Sequence, residues 1–518
     1  MVPGPVRRTL VTAGNNLSTD SDRKNTPFLH DLAIAGGRGG VMRSTGGERD
    51  YRTIGKRNSK TRKRQGMSLE DRPILEANAA GVDVGAREMF VSVPPDRDPN
   101  PVQVFDTFTT DLHRLVDWLV QCRVTTVAME STGVYWIPLY DIVEQRGLKA
   151  CLVNAKHMKN VPGRRTDWHE CQWLQYLHSV GLLRAAFRPE SEICAVRSLM
   201  RHRSELVKMA AQHVQHMQKA MTQMNLQLQH VINDITGKTG LAIIDAILAG
   251  QHNPTELAKL RDPRIKADSA TVEKSLIGNW RSEHLFTLKQ SRELYESYQK
   301  QILECDKEID RLVRRFQSRV DPSEKPLPPD EKAKHSRNKA MKNKLNLEAR
   351  LEFRTEVYKL FGIDVTQIPG IDSTAFQLFA EVGRDMSKWP TAGHFASWLG
   401  LCPDNDISGG RIWRGARHAK TRAGQLFRFA AYALHRNSSP LGDYLRRKKA
   451  QLGAPAATTA TAHKIAVIFY TMVKNQVEYD ATIWATRDLQ RQKRLESKLK
   501  RQARQLGYNL VTADPQTT

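Results

Sequence analysis

No stretch of this chain approaches the roughly 18 consecutive apolar residues that a membrane-spanning helix needs, so a soluble protein is expected. Cysteine is sparse. Cys122, Cys151, Cys171, Cys194, Cys305 and Cys402 are dispersed without a C-x-x-C spacing. That pattern indicates neither a zinc site nor a disulfide framework, and it fits a reducing cytoplasm. The early arginines are followed by no apolar segment, so a secretory signal is absent. Gly237-Lys238-Thr239 matches the end of a phosphate-binding loop, but Ile232 stands where the loop needs its earlier glycine, and a nucleotide site is rejected.

What the chain has in excess is positive charge. Its 518 residues carry 80 Lys and Arg against 55 Asp and Glu, a formal balance of +25. Such a surplus attracts polyanions, nucleic acid first among them. Against that background a few carboxylates fall in places where charge is costly. Asp83 interrupts the apolar strand Ala80-Gly81-Val82-Asp83-Val84-Gly85, and burying it alone would cost several kcal/mol, on the order of the effective penalty per ion, unless it holds a cation or a partner. Glu130 ends the apolar run Val124 to Met129, just before the turn Ser131-Thr132-Gly133. Asp167 and Glu170 lie three positions apart at the mouth of a helix, hence on one face. By itself such a pair is usually a solvated partner of the helix dipole. Strand ends and helix mouths are where ligands collect in open α/β sheets, so the four carboxylates can converge. Four hard oxygen donors without thiolates read as a magnesium site for phosphoryl transfer.

The chain divides by composition. Residues 1–66 read as a disordered basic tail, and Met67 as the expected initiator. Residues 67–185 alternate as three strands, helix, strand, helix, strand, helix, which implies a mixed sheet flanked by helices in the order of ribonuclease H-like nucleases and integrases. From 186 to 320 the period is helical. One seam runs through Leu288, Ser291, Tyr295, Tyr298, Ile302, Cys305, Ile309 and Leu312; another runs through Val196, Leu199, Leu206, Ala210, Met217, Ala220 and Met224, interrupted by Arg203 and His213. The two helices pair within the chain or between protomers, or belong to an ordinary bundle. Residues 321–350 read as a basic linker or inserted arm, and 351–482 as a last domain. There Ile368-Pro369-Gly370-Ile371-Asp372 is expected to form a hairpin holding a nucleic-acid phosphate at a helix N-terminus. Ser408-Gly409-Gly410 reads as a polar turn, or as a serine whose hydroxyl projects among arginines where backbone crowding is low. Residues 483–518 form a charged helix and tail.

Gly81-Val82-Asp83-Val84-Gly85, Met129-Glu130-Ser131-Thr132-Gly133-Val134-Tyr135-Trp136, Leu152-Val153-Asn154-Ala155, Asn160-Val161-Pro162-Gly163-Arg164-Arg165-Thr166-Asp167, Ile368-Pro369-Gly370-Ile371 and Ser408-Gly409-Gly410 follow one another as in the DEDD transposases of bacterial insertion sequences, the one-ten family, and the chain resembles them from Met67 to about Tyr479. The resemblance implies an α/β plus α architecture: a ribonuclease H-like, Holliday-resolvase-like nuclease domain, a coiled-coil segment, and a mainly helical transposase domain with the serine. It implies a bacterial, nucleoid-associated recombinase that excises and inserts its element, binds Mg²⁺ through Asp83, Glu130, Asp167 and Glu170, and attacks with Ser408. Arg164, Arg165, Arg411, Arg414 and Arg417 are the matching candidates for nucleic-acid contact. DNA, a structured bridge RNA as guide and a second or further copies of the chain, as dimer or tetramer, are the implied partners. One position departs from the family pattern: the fourth carboxylate is usually aspartate, and Glu170 keeps the charge while adding a methylene. A junction-resolving nuclease using metal-activated water, and a nucleic-acid-binding remnant without catalysis, are the competing readings.

Overall fold

The computed structural model describes residues 72–131, 133–154, 166–329, 353–372, 374–403, 405–408, 411–415, 421–480 and 482–509. Met67 and the tail before it, Arg164, Arg165, Arg417 and the basic run Lys332 to Lys344 lie outside them. Along 405–408 and 411–415 the backbone alone is described.

Five strands form one mixed sheet: β1 (Ala79–Val84), β2 (Glu88–Ser92), β3 (Val102–Asp106), β4 (Thr126–Glu130) and β5 (Lys149–Val153), in the order β3-β2-β1-β4-β5. The β1–β2 and β2–β3 pairs are antiparallel, and the β1–β4 and β4–β5 pairs are parallel. This is the mixed sheet expected from the element order, consistent with a ribonuclease H-like domain.

Helices cover both faces, which is why β4 reads as a continuous apolar run with Thr126 to Met129 all buried. Helix α1 (Thr109–Gln121) buries Leu112, Leu115, Val116 and Leu119 on a helical stripe, and α2 (Trp136–Gln145) buries Leu139, Ile142 and Val143. Both pack on one face of the sheet with Val82, Met89, Val91 and Val127. On the other face Leu174 and Leu177 of α3 (Asp167–Ser179) meet Ala128, Cys151 and Val153.

Two long helices follow, α4 (Ser191–Gln223) and, after α5 (Lys238–Leu248) and three short helices (Leu228–Val231, Pro254–Lys259 and Ser269–Ser275), α6 (Ser282–Val313). They pair within the chain and run antiparallel: Leu199 contacts Cys305, Arg203 pairs with Asp306, and further along His213 stacks on Tyr298. Both interruptions of the α4 seam are thus matched across the pair. Asp306 is 4% exposed and its Arg203 partner 11%.

The base of this pair shares one apolar core with the last domain. There α7 (Phe353–Phe361), α8 (Thr374–Val382), α9 (Ala392–Trp398), α10 (Arg422–Ala433), α11 (Pro440–Leu452) and α12 (Ala454–Asn475) gather Phe361, Phe376, Phe379, Phe395, Phe427 and Phe469, all buried. Arg197 of α4 donates to the carbonyls of Ala380 and Glu381, occupying acceptors that the end of α8 leaves open.

One expectation is revised, and two stretches gain detail. Ile368 to Ile371 is a single tight turn and not a hairpin: Ile371 N donates to Ile368 O at 3.0 Å, and Gly370 takes φ +90° after Pro369, as a type II turn requires. Both isoleucines are fully buried, and a Cβ on Gly370 would lie 2.3 Å from the carbonyl oxygen of Ala430, so the turn is a packing element. The mainly helical domain also contains a hairpin, β6 (Asn405–Ser408) with β7 (Arg411–Gly415). Finally, at the start of the stretch read as a linker or inserted arm, the carbonyls of Lys325, Pro328 and Pro329 accept from Tyr358, Arg354 and Gln367. The charged helix at the end of the chain is α13 (Thr482–Gln505). Among the described residues no helix is long and apolar enough to cross a membrane.

The buried Arg203–Asp306 pair yields the first prediction. Arg203→Met leaves a carboxylate buried without its partner and should destabilise the chain by about 3–5 kcal/mol in denaturant unfolding, whereas Arg203→Met with Asp306→Leu should recover most of the loss.

Candidate metal centre

Asp83 is the last but one residue of β1, Glu130 ends β4 beside it, and Glu170 stands in the first turn of α3. One carboxylate oxygen from each of the three lies within 4.8 Å of the others. All three residues are half-buried. Asp167, the first residue of α3, is exposed and outside this trio, yet its charge still acts on Asp83.

The helix reaches the strand because β1 has a bare backbone at the crossing. A Cβ on Gly81 would lie 2.3 Å from the backbone nitrogen of Gln175 and 2.5 Å from the carbonyl oxygen of Cys171. Only glycine allows that approach. Two side-chain contacts set the helix along the sheet: Gln175 donates to the carbonyl of Ala79 at 3.2 Å, and His178 shares a 2.8 Å hydrogen bond with the Thr126 hydroxyl. Burial holds His178 below its ordinary pKa, in keeping with a ring bound to a buried hydroxyl. Cys171 is fully buried and its thiol is pushed up to about 12 by burial and by the charge of Asp83, so it packs as a neutral group.

Bringing three carboxylates within 4.8 Å of one another sets up mutual repulsion, on the order of 3 kcal/mol per pair at an effective dielectric near 20. The strain shows at Asp83. Burial first, then the charges of Glu130, Glu170 and Asp167, raise its pKa from 3.8 to about 6. An all-oxygen, all-anionic donor set of this kind fits a hard divalent cation, which removes the repulsion it was built from.

Among the sequence-derived candidates, then, Asp83, Glu130 and Glu170 are brought together and Asp167 stands at their edge. Ser408 ends β6, paired with Arg411 at the start of β7 across Gly409 and Gly410; Arg414 lies opposite Asp406. The side chains of Ser408, Arg411 and Arg414, and Arg164, Arg165 and Arg417 altogether, lie outside the described residues. The positioning contacts of Gly81, Gln175 and His178 escaped the sequence reading, although a glycine inside an apolar strand is the signal of close backbone approach.

Two family models match the chain. The DEDD transposase model DEDD_Tnp_IS110, described as Transposase, covers residues 80–226, and the model described as Transposase IS116/IS110/IS902 family covers residues 364–445. No curated protein matches it. The first match includes all four carboxylates, and the second includes the β6–β7 hairpin.

The raised pKa gives a pH dependence with a definite sign. Asp83 is protonated below about 6 and ionised above it, and because its folded pKa exceeds the unfolded value, the stability it contributes to the metal-free fold is lost as pH rises through about 6. The rise in Tm caused by Mg²⁺ should therefore be large near about pH 8 and shrink toward about pH 5; a rise independent of pH would remove Asp83 from the site. Gly81→Ala should lift α3 off the sheet and lower divalent-cation affinity at least about tenfold, or about 1.4 kcal/mol, measured by calorimetric titration.

Proposed function

The chain belongs to the IS110 family of DEDD transposases, enzymes that cleave and rejoin DNA, and from that premise we propose a recombinase with a carboxylate-held Mg²⁺ and a serine nucleophile. The observation that carries the reading is the convergence of Asp83, Glu130 and Glu170 inside the first matched region. These residues, with Asp167 alongside, would hold the cation. Bound there, Mg²⁺ supplies charge neutralisation at the scissile phosphate and at the leaving oxygen.

The serine is the second half of the proposal. Ser408 precedes Gly409 and Gly410 in sequence, and two residues without side chains would let a phosphate approach the backbone. Its hydroxyl oxygen forms a bond to the phosphorus while the bond from phosphorus to the sugar oxygen breaks, and the serine proton leaves with that oxygen or a nearby base. The phosphoserine bond keeps the phosphodiester energy. Attack by a second strand's hydroxyl then reverses the exchange and frees Ser408. Asp404 and Asp406 are the nearest acidic groups in sequence, and neither is a convincing base; the carboxylate centre of the first domain is the better source of activation. That calls for a composite site, closed within one chain or between copies in a dimer or tetramer. Arg411, Arg414 and Arg417 would balance charge on the phosphate, with Arg164 and Arg165 holding DNA beside Asp167. Because phosphate contacts carry little sequence information, target choice is assigned to a structured guide RNA.

The test is covalent capture. Incubation with DNA and Mg²⁺ should leave protein attached to a strand. Ser408→Ala should abolish attachment and strand exchange with little change in stability, and Asp83→Asn should abolish cleavage while leaving DNA affinity largely intact. Hydrolysis without attachment would favour a junction-resolving nuclease using water, and binding without either would leave an inactive remnant.

A further inference from the structure

Helix α13 (Thr482–Gln505) is long, and every described residue from Lys493 to Asn509 is exposed except the half-buried Ala503. Between Arg487 and Arg504 it carries eight Arg and Lys, at 487, 491, 493, 494, 498, 500, 501 and 504, against Asp488 and Glu496. Five of the cations, Arg487, Arg491, Arg494, Lys498 and Arg501, fall four, three, four and three residues apart. The last three, Arg494, Lys498 and Arg501, thereby share one helical face over a length of roughly 11 Å at 1.5 Å per residue. Like charges at these intervals repel one another and weaken an isolated helix. Lys500 is offset by Glu496 at 2.5 Å, but Arg494, Lys498 and Arg501 have no ion-pair partner among the described residues. An ordinary solvated helix alternates its charges, and this row does not.

We propose that α13 is a phosphate rail that lies along duplex DNA outside the reacting site, adding affinity without sequence choice. The row of cations complements a polyanion of regular spacing, and a helix with no covering neighbour on its exposed length fits the major groove of B-form DNA, whereas the major groove of A-form RNA is too narrow to admit one. This rests on the reading of the chain as a DNA recombinase. The rail is separable from catalysis, since none of its residues belongs to the carboxylate centre or the β6–β7 hairpin.

The test uses the full-length chain with Arg494→Gln, Lys498→Gln and Arg501→Gln together, chosen because glutamine preserves helix propensity. Circular dichroism should match the wild type. Binding of a random-sequence duplex, followed against salt, should show a log–log slope shallower by about 2.7, or about 0.9 for each of three phosphates released. Between about 50 and 200 mM salt the wild type should then lose about 40-fold more affinity than the variant. Covalent attachment to DNA at saturating concentration should persist, so loss of the rail and failure of the serine chemistry give different results. An unchanged slope, a greater loss on structured RNA than on duplex DNA, or a fall in oligomeric mass with the slope intact would each overturn the proposal; the last would assign the exposed Leu495 and Leu499 to a contact between copies.

Discussion

The bare backbone of Gly81 is the constraint on which the centre depends. Three acidic side chains repel, and no fold gathers them for the sake of stability. What holds them is a helix that sits closer to its strand than any side chain would permit, with 2.3 Å between the Gln175 nitrogen and the place a Cβ would occupy. The leucines beneath α3 supply the burial, and Gln175 and His178 fix its direction. Glu170 is thereby delivered to Asp83 and Glu130, and the Coulombic cost is stored at Asp83 until a cation relieves it.

A second junction ties the sheet to the helical part of the chain. Ala186 donates to Leu152 at the sheet, Phe187 packs against both Trp389 and Trp398, and Arg188 lies over the Tyr140 ring at 4.1 Å while pairing with Asp141. Arg197 and Arg201 then bind Glu381 and the end of α8. Residues 186–201 therefore make contacts both with the sheet that bears the carboxylates and with the domain that carries the hairpin.

Much of this was legible in the residues. Asp83 and Glu130 announced themselves as charges in apolar strands, and Asp167 and Glu170 as neighbours on one helical face; the alternation of strands and helices implied the mixed sheet. The three- and four-residue spacing revealed α4 and α6, though only the cross-contacts of Arg203 and His213 show that they pair within one chain. The Ile368 turn misled because proline and glycine mark a turn without saying what packs on it, and burial against Ala430 is a tertiary fact. The β6–β7 hairpin was missed since its flanks hold too few alternating apolar residues to signal strands. Gly81 looked like any strand glycine until α3 lay across it.

The central claim is that Asp83, Glu130 and Glu170 form a divalent-cation centre. Anomalous diffraction from crystals of the full-length chain grown with Mn²⁺ tests it most directly. A peak bounded by those three carboxylates, lost in Asp83→Asn, is the predicted result. A wild-type crystal with no peak among them, from protein that still cleaves DNA in Mn²⁺, would contradict the account.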